Sequence, residues 1–433
     1  MKNLYFRFYF VFLQKIFKNN IIMLLKIELE NFFSIKETVS IDFRAGNINT
    51  VQARELVNNV YEWNGQKVLK SIGLFGPNAS GKSNIVKAVS FCAHLIFESH
   101  LHNENTVFNF QPFKFDGCEK KPSRFLIDFV CDDIEYEYSF SLTRTEIIKE
   151  SLYYYPNKRR AKIFKREGEN YSFAEGTVPR PKDVAINTSR KNLFLSRASS
   201  MNREFAKKIF QYFLNTFLLG LVPLSDQSIE ELFVNHKEIV LKALNVCDSD
   251  ICDIELRKEK AQNITFALTT GKIPTQQIQD VDFIKFVTYH KFAPKVSFDM
   301  EVEESHGTRQ LFGILLRLLD VVKKGKSLML DEFDLSLHTL LADFILDLIH
   351  ASDRSQLLFT SHNTNLIDTS RLRKDQILFV NKKDDGSTEV YSLYDFKGFR
   401  ENMDAEKGYM QGRFDAIPIV NTSVSSLKQL LED

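Results

Sequence analysis

Residues 76–83 are Gly76-Pro77-Asn78-Ala79-Ser80-Gly81-Lys82-Ser83, and this stretch decides the fold because it matches the pattern G-x-x-x-x-G-K-S completely. It lies between an apolar stretch, Val68 to Phe75, and a segment of helical periodicity, Ser83 to Phe97. A strand, a glycine-rich turn and a helix in this order surround a phosphate with backbone N–H groups. The sequence therefore predicts an ATP-binding phosphate loop, in which Lys82 bridges the β- and γ-phosphates, Ser83 binds Mg²⁺ and Asn84 completes the nucleotide-contacting set.

Two further apolar stretches end in candidate catalytic residues. Asp331 and Glu332 follow the stretch 327–330, and His362 follows the stretch 357–361. Such strands deliver their last residues to one edge of a sheet, so we expect Asp331 to bind the Mg²⁺ ion there. Glu332 is then the candidate general base for the attacking water, and His362 the residue that contacts the γ-phosphate. The alternatives are that the acids merely end a strand and that the histidine is an ordinary turn residue.

An anion-binding pattern precedes the acidic stretch. Ser305 and Gly307 stand immediately before an apolar helix, predicted over residues 311–322. A hydroxyl and free N–H groups at a helix N-terminus bind anions, so this site is able to cap the γ-phosphate held by another subunit. The alternative is that Ser305 is a plain helix N-cap.

Composition indicates a globular cytoplasmic protein. The chain is 44% hydrophobic and 26% charged, and 57 basic residues balance 56 acidic ones, so bulk charge advertises neither nucleic acid nor membrane. The five cysteines form no C-x-x-C pair, which favours free thiols in a reducing compartment. The apolar run 4–13 is interrupted by Arg7 and is too short to cross a bilayer. We expect residues 1–22 to lie outside the core and Met23 to be the natural start.

The remaining pattern divides the chain into three folded segments. Residues 23–155 form the N-terminal half of an ATPase core, with paired strands over 24–43 and an antiparallel sheet over 108–155. Residues 156–287 form a mainly helical insertion, and residues 288–433 the C-terminal half. The basic stretch from Lys158 to Lys191 is either a solvated hairpin or a contact for nucleic acid or a partner.

These elements, in this order, resemble the ABC-type ATPases of the SMC, Rad50 and RecF kind. The resemblance implies an α/β P-loop NTPase fold of ABC-ATPase type, with a mixed sheet, flanking helices, an antiparallel β subdomain and a helical insertion. It makes Gly76 to Ser83 the Walker A motif, Ser305 and Gly307 the signature, Asp331 and Glu332 the Walker B acids, and His362 the switch. It also implies a D-loop over Phe333 to His338, a Q-loop ligand to Mg²⁺ at Gln111, and a homodimer or higher homo-oligomer.

Several softer segments resemble the RloA/AbiL-type and PARIS-type ATPase subunits of bacterial anti-phage defence. They are residues 29–34, residues 112–115, the string E-S-x-G-T-R from Glu304, Leu337-His338, and residues 412–418. The resemblance implies that ATP-driven self-association controls a separate effector nuclease encoded nearby, because too few residues follow His362 for a Toprim nuclease domain. The alternatives are a DNA-repair ATPase that binds DNA and a nucleotide-gated scaffold with negligible hydrolysis.

Overall fold

We describe the fold from a computed structural model, which describes residues 22–219, 226–246, 250–267, 275–333, 339–400 and 403–417. The chain divides into two compact units. The first unit contains Met1–Gly220, Gly325–Leu335 and Leu346–Asp433, and the second contains Leu221–Lys324 and Ser336–Ile345. The chain therefore leaves the first unit and returns to it twice.

The described residues form both strands and helices, as in an α/β protein. The strands are β1 (Ile22–Glu30), β2 (Val39–Asp42), β3 (Val60–Trp63), β4 (Gln66–Leu69), β5 (Ser71–Phe75), β6 (Ser123–Cys131), β7 (Ile134–Leu142), β8 (Ile147–Tyr154), β9 (Ala161–Glu167), β10 (Asn170–Phe173), β11 (Phe217–Leu219), β12 (Ile251–Ala267), β13 (Thr275–His290), β14 (Ala293–Asp299), β15 (Ser327–Leu330), β16 (Gln356–Ser361), β17 (Ile377–Lys382) and β18 (Thr388–Ser392). The helices are α1 (Val51–Glu55), α2 (Lys82–Glu98), α3 (Pro181–Ile186), α4 (Phe194–Ser200), α5 (Glu204–Thr216), α6 (Asp226–Val246), α7 (His306–Lys324), α8 (Thr339–Ala351) and α9 (Ala405–Met410).

The central sheet of the first unit has the strand order β11-β15-β16-β5-β17-β18. All of its neighbouring strands are parallel except β17 and β18, which form an antiparallel hairpin. The register pairs Leu330 with Phe359 and Ser361 with Phe75. Because neighbouring parallel strands end at the same edge, the residues that follow β5, β15 and β16 emerge together. The strands β5 and β15 are buried at every position, as expected for a sheet covered on both faces.

An antiparallel sheet of seven strands lies beside this core, in the order β10-β9-β8-β7-β6-β1-β2. Along β7 the buried positions alternate with partly exposed ones, which is the period-two pattern seen in the sequence. Gln356 joins the two sheets, since its amide accepts a hydrogen bond from the Leu24 N–H (2.7 Å) and donates one to the Leu24 carbonyl (2.9 Å). The predicted α/β fold class, with its mixed sheet, flanking helices and antiparallel β subdomain, is confirmed.

The predicted single strand over 68–75 is two strands, and Lys70 marks the break. Its ammonium donates hydrogen bonds to the carbonyls of His350 (2.8 Å) and Ser352 (2.7 Å) at the end of α8. The buried His350 ring pairs with Ser71 Oγ at 2.8 Å. Burial, together with the Lys70 charge, lowers the pKa of His350 from 6.5 to about 4, so the ring is neutral at pH 7. The lysine inside this apolar run therefore binds the carbonyl groups at the C-terminal end of a helix and is not part of a strand.

The second unit contains a long antiparallel hairpin, whereas the sequence predicts a mainly helical insertion. Strands β12 and β13 pair from Ile251 opposite His290 to Ala267 opposite Thr275, and β14 extends their sheet. Helices α6 and α7 belong to the same unit. Phe233, Phe286 and Phe312 bring α6, β13 and α7 together, with ring centroids 4.8–6.0 Å apart. The hairpin escaped prediction because charged residues such as Glu259 and Lys285 interrupt its apolar alternation.

The first part of the basic stretch after β8 folds as the hairpin β9–β10. Arg166 is fully buried, and its guanidinium lies 3.8 Å from Glu150 and donates to the carbonyls of Gly168, Ser189 and Asn192. Glu150 also accepts hydrogen bonds from two backbone N–H groups at the start of α4. Arg166 is thus a structural residue of this hairpin.

Two expectations from composition concern the described residues only. Four cysteines there are free thiols, Cys92, Cys118 and Cys131 being buried and Cys252 exposed. None of the helices described has the length and apolar character needed to cross a membrane. The predicted N-terminal extension, apart from Ile22, lies outside the described residues.

Candidate functional site

The phosphate loop joins the end of β5 to the start of α2, as predicted. Lys82 is 5% exposed, and its ammonium donates hydrogen bonds to the carbonyls of Gly76 (2.8 Å) and Pro77 (2.9 Å). Gly81 is the N-cap of α2 and has a left-handed backbone with φ 110°. A Cβ atom at Gly81 would lie 2.0 Å from Thr388 Oγ1, and one at Gly76 would lie 2.1 Å from the Val380 carbonyl oxygen. Both glycines are therefore required by close contacts as well as by the turn.

A chain of hydroxyl and amide groups holds the loop from behind. Asn84 Nδ2 donates to Ser34 Oγ (2.7 Å), Ser34 Oγ pairs with Thr388 Oγ1 (2.7 Å), and Thr388 Oγ1 donates to the Ser80 carbonyl (2.9 Å). Since each hydroxyl donates once and accepts once, the hydrogen bonds run in one direction and reinforce each other. Asn84 faces this chain, which fixes α2 and the loop to the β17–β18 hairpin.

The acidic strand end meets the phosphate loop. Asp331 Oδ1 accepts hydrogen bonds from Ser83 Oγ (3.2 Å) and from Thr360 Oγ1 (2.6 Å). Glu332 is exposed and has a left-handed backbone with φ 50°, and its N–H donates to the same Thr360 hydroxyl (2.7 Å). A left-handed conformation costs a non-glycine residue such as Glu332 roughly 1–2 kcal/mol. The Thr360 hydroxyl helps to hold Glu332 in this conformation and also fixes the Asp331 carboxylate.

The donor groups at this edge fit a magnesium ion. Ser83 and Asp331 present a hydroxyl and a carboxylate, which are the hard oxygen ligands that Mg²⁺ accepts. Among the described residues, no group of three or more His, Cys, Asp or Glu side chains gathers to hold a metal. A single carboxylate suits Mg²⁺, because this ion keeps several of its waters and takes its other ligands from substrate phosphates. A buried hydroxyl without a partner in the described structure, Ser80 Oγ, also lies in the loop.

His362 follows β16 and borders a cavity of about 780 Å³ together with Gly76, Pro77 and Asn78. The side chain is exposed, and the next residue, Asn363, donates its N–H to Ser361 Oγ at 2.9 Å. The structure thus brings His362 to the first half of the phosphate loop.

The predicted signature residues lie in the second unit. Ser305 and Gly307 are exposed at the N-terminus of α7. Ser305 Oγ accepts a hydrogen bond from the Thr308 N–H (3.1 Å) and pairs with Thr308 Oγ1 (2.8 Å). Locally, therefore, Ser305 caps the helix, and the signature role remains a prediction.

Two other predicted positions have less support. Gln111 lies in a loop, and its carbonyl accepts a hydrogen bond from the Phe33 N–H at 2.7 Å. Within the described residues, no hydrogen bond joins Gln111 to Ser83 or Asp331. Of the predicted D-loop, Phe333 is buried and donates its N–H to the Thr360 carbonyl (3.0 Å), and residues 334–338 lie outside the described residues.

Three residues that shape the site, Ser34, Thr360 and Thr388, were not predicted from the sequence. Thr360 had a usable signal, because it is a polar residue inside the apolar strand that precedes His362. Ser34 and Thr388 had none, since each is an ordinary polar residue whose partner lies far away in the sequence.

Solved structures with detectable similarity are distant. The SMC head domain from Thermotoga maritima has 15% identity and a TM-score of 0.39, covering 85% of this chain and 98% of that chain. An Smc head domain with an extended coiled coil, bound to the C-terminal domain of ScpA from Pyrococcus furiosus, has 15% identity and a TM-score of 0.41, covering 91% and 99%. No curated protein matches the sequence.

A protein-family model matches the segments of the chain that contain the site. The family described as "AAA domain, putative AbiEii toxin, Type IV TA system" matches residues 71–210 and 253–368, more than half of the 433 residues. The first matched segment contains the phosphate loop, and the second contains Asp331, Glu332 and His362. The chain therefore belongs to this AbiEii-type family of AAA domains.

Proposed function

We propose that the chain is the ATP-binding and ATP-hydrolysing subunit of a bacterial anti-phage, abortive-infection system, in which ATP-driven self-association controls a separate effector nuclease. The observation that carries the ATPase part is the 3.2 Å contact between Ser83 Oγ and Asp331 Oδ1. These residues are 248 positions apart in sequence, yet they form the hydroxyl and carboxylate pair that a Mg-ATP site of this class requires.

The residues of the site have distinct roles in this proposal. The ammonium of Lys82 and the loop N–H groups hold the β- and γ-phosphates, and Ser83 and Asp331 hold the metal. When bound, Mg²⁺ would neutralise part of the phosphate charge. The Glu332 carboxylate accepts a proton from the attacking water, and His362 orients that water toward the γ-phosphate.

Self-association involves the exposed N-terminus of α7. Ser305, His306 and Gly307 are all exposed there, and a helix N-terminus carries a positive partial charge. In a head-to-tail dimer the Ser305 hydroxyl and nearby N–H groups would contact the γ-phosphate bound to the other subunit. ATP would then stabilise the dimer, and hydrolysis would release it.

The defence role is supported by the family to which the chain belongs. The family description names a toxin and a type IV toxin–antitoxin system, which associates the family with bacterial conflict. We propose that the chain works in the cytoplasm and that its output is the capture or release of an effector encoded nearby.

ATP hydrolysis and light-scattering mass measurements test the enzymatic part. Lys82 is the one lysine among the eight residues of the loop, and its ammonium donates hydrogen bonds to the carbonyls of Gly76 and Pro77. We therefore expect Lys82→Ala to abolish nucleotide binding, because the loop loses the positive charge that would hold the phosphates. We expect Glu332→Gln to retain binding, lose hydrolysis and accumulate an ATP-bound dimer or larger assembly. Hydrolysis by Glu332→Gln at the wild-type rate would show that another group is the base.

Copurification from the native operon, with and without ATP, tests the partner. An ATP-dependent nuclease partner is expected. Salt-sensitive DNA binding that stimulates hydrolysis, without any protein partner, would instead favour a DNA-repair ATPase. Partner capture that is unaffected by Glu332→Gln and accompanied by negligible wild-type hydrolysis would favour a scaffold.

A further inference from the structure

The cavity beside the phosphate loop has an unbalanced positive charge. It is lined by residues from the loop, from the end of β17, from the segment after β16, and from α9 and the residues after it. These residues are Gly76, Pro77, Asn78, His362, Thr364, Asn381, Lys382, Tyr409, Met410 and Ile417. The lining includes the basic side chains of Lys382 and His362 and no carboxylate. Such a lining attracts an anion, because no acidic group compensates the lysine charge.

Lys382 occupies a position that the sheet fixes next to the loop. It is the last residue of β17, and Phe379 of this strand pairs with Phe75, the residue before the loop. The backbone contact continues at the next step, because the Val380 carbonyl oxygen would lie 2.1 Å from a Cβ atom at Gly76. Lys382 follows two residues later and is exposed.

The neighbouring cations have carboxylate partners, which sets Lys382 apart. Lys36 contacts Asp385 at 2.7 Å, and Lys383 contacts Glu37 at 3.5 Å. In the part of the chain that the structure describes, Lys382 takes part in no ion pair. Its charge is therefore available to a ligand in the cavity, whereas the Lys383 charge is already compensated.

One wall of the cavity is packed against β17 and against the segment after β16. The Tyr409 and Phe414 rings stack on Phe379, with centroids 5.6 and 5.0 Å away. Thr364 Oγ1 donates a hydrogen bond to Glu406 Oε1 at 2.7 Å, which ties α9 to the segment after His362. This packing holds α9 and the residues after it in place as one wall of the cavity.

We propose that Lys382 is a second cationic contact for the terminal phosphate of ATP and thereby discriminates ATP from ADP. The inference rests on the proposed function, because it takes the phosphate loop to hold the β-phosphate. A γ-phosphate extends beyond that group and adds negative charge next to Pro77, Asn78 and His362. Lys382 approaches from β17 and acts as a specificity determinant without binding the metal.

Equilibrium binding of Mg-ATPγS and Mg-ADP to the full chain tests this assignment. We expect Lys382→Ala to weaken ATPγS binding about tenfold, the effect of losing one charge-assisted contact, and to change ADP binding less than about twofold. Lys382→Arg should restore most of the difference, because it keeps the charge. Lys383→Ala is the matched control, and it should leave both affinities unchanged.

Each outcome decides the inference. Equal weakening of ATPγS and ADP binding by Lys382→Ala would mean general attraction rather than recognition of the terminal phosphate, and it would overturn the assignment. Unchanged affinity for ATPγS would overturn it as well. A wild-type chain that binds neither nucleotide would overturn the proposed function as well. The two failures are therefore distinguishable from the wild-type titration alone.

Discussion

Replacement of Thr360 by valine removes one hydroxyl that serves both acids of the site. Valine has nearly the same shape, so the strand β16 should keep its packing. The change deletes the 2.6 Å hydrogen bond to Asp331 and leaves the Glu332 N–H without its 2.7 Å acceptor. A hydrogen bond to a charged group contributes about 1.5–3 kcal/mol, which corresponds to a change of roughly ten- to hundredfold in an equilibrium or a rate.

The effect should appear in catalysis and in the magnesium requirement. Mutation of a group that orients a metal ligand typically lowers metal affinity or activity by about 10–100-fold, which agrees with the range from the hydrogen bond. We expect Thr360→Val to lower the ATPase rate within this range and to raise the Mg²⁺ concentration needed for half-maximal activity. The assay is steady-state phosphate release over a Mg²⁺ titration.

Thr360→Ser is the matched control, because it keeps the hydroxyl and should retain most of the wild-type activity. Thermal unfolding of both variants establishes that they are folded. If Thr360→Val were folded and hydrolysed ATP with the wild-type rate and Mg²⁺ dependence, Thr360 would not position the acids and the reasoning would be refuted.

Three further predictions concern the loop and the core. Gly81→Ala should abolish nucleotide binding measured by calorimetry while the fold persists, because its Cβ would lie 2.0 Å from Thr388 Oγ1; normal affinity would contradict the close contact. Because the pKa of His350 is lowered from 6.5 to about 4, unfolding free energy should fall by about 1.4 kcal/mol per pH unit as pH drops from 6.5 toward 4, and urea titrations of the wild type and His350→Gln should differ in this slope. Glu150→Ala should cost about 3–5 kcal/mol in urea unfolding, because it leaves Arg166 buried without its carboxylate; a loss below about 1 kcal/mol would show that the pair is dispensable.

The edge at which Ser83 meets Asp331 could be predicted because its information is local. The residues after β5, β15 and β16 each follow a short apolar run, and strands of a parallel sheet end at one edge. The convergence of Ser83 with Asp331 therefore follows from three separate patterns and one rule of sheet geometry. An alternation of buried and partly exposed residues, as along β7, likewise predicts an antiparallel strand.

The supporting contacts could not be predicted, because each depends on a partner that no local pattern specifies. Ser34 and Thr388 are 354 positions apart, and only the folded sheet brings their hydroxyls within 2.7 Å. Lys70 resembles an interruption of a strand until α8 supplies two carbonyls for its ammonium. In the sequence, Lys382 resembles any lysine at a strand end, and only the folded chain shows that it lines the cavity beside the phosphate loop.

The long hairpin of the second unit was missed for a different reason. Its strands carry charged residues among the apolar ones, including the cross-strand ion pair of Lys285 with Glu259 (3.8 Å). Periodicity of apolar residues is the main signal of a strand, and these charged residues interrupt it.

A crystal structure of the chain with Mg²⁺ and a non-hydrolysable ATP analogue tests the central claim most directly. The account predicts the β-phosphate inside the loop 76–83, with the metal between Ser83 Oγ and the Asp331 carboxylate. A nucleotide bound elsewhere on the chain, or a metal ion remote from Asp331, would contradict it.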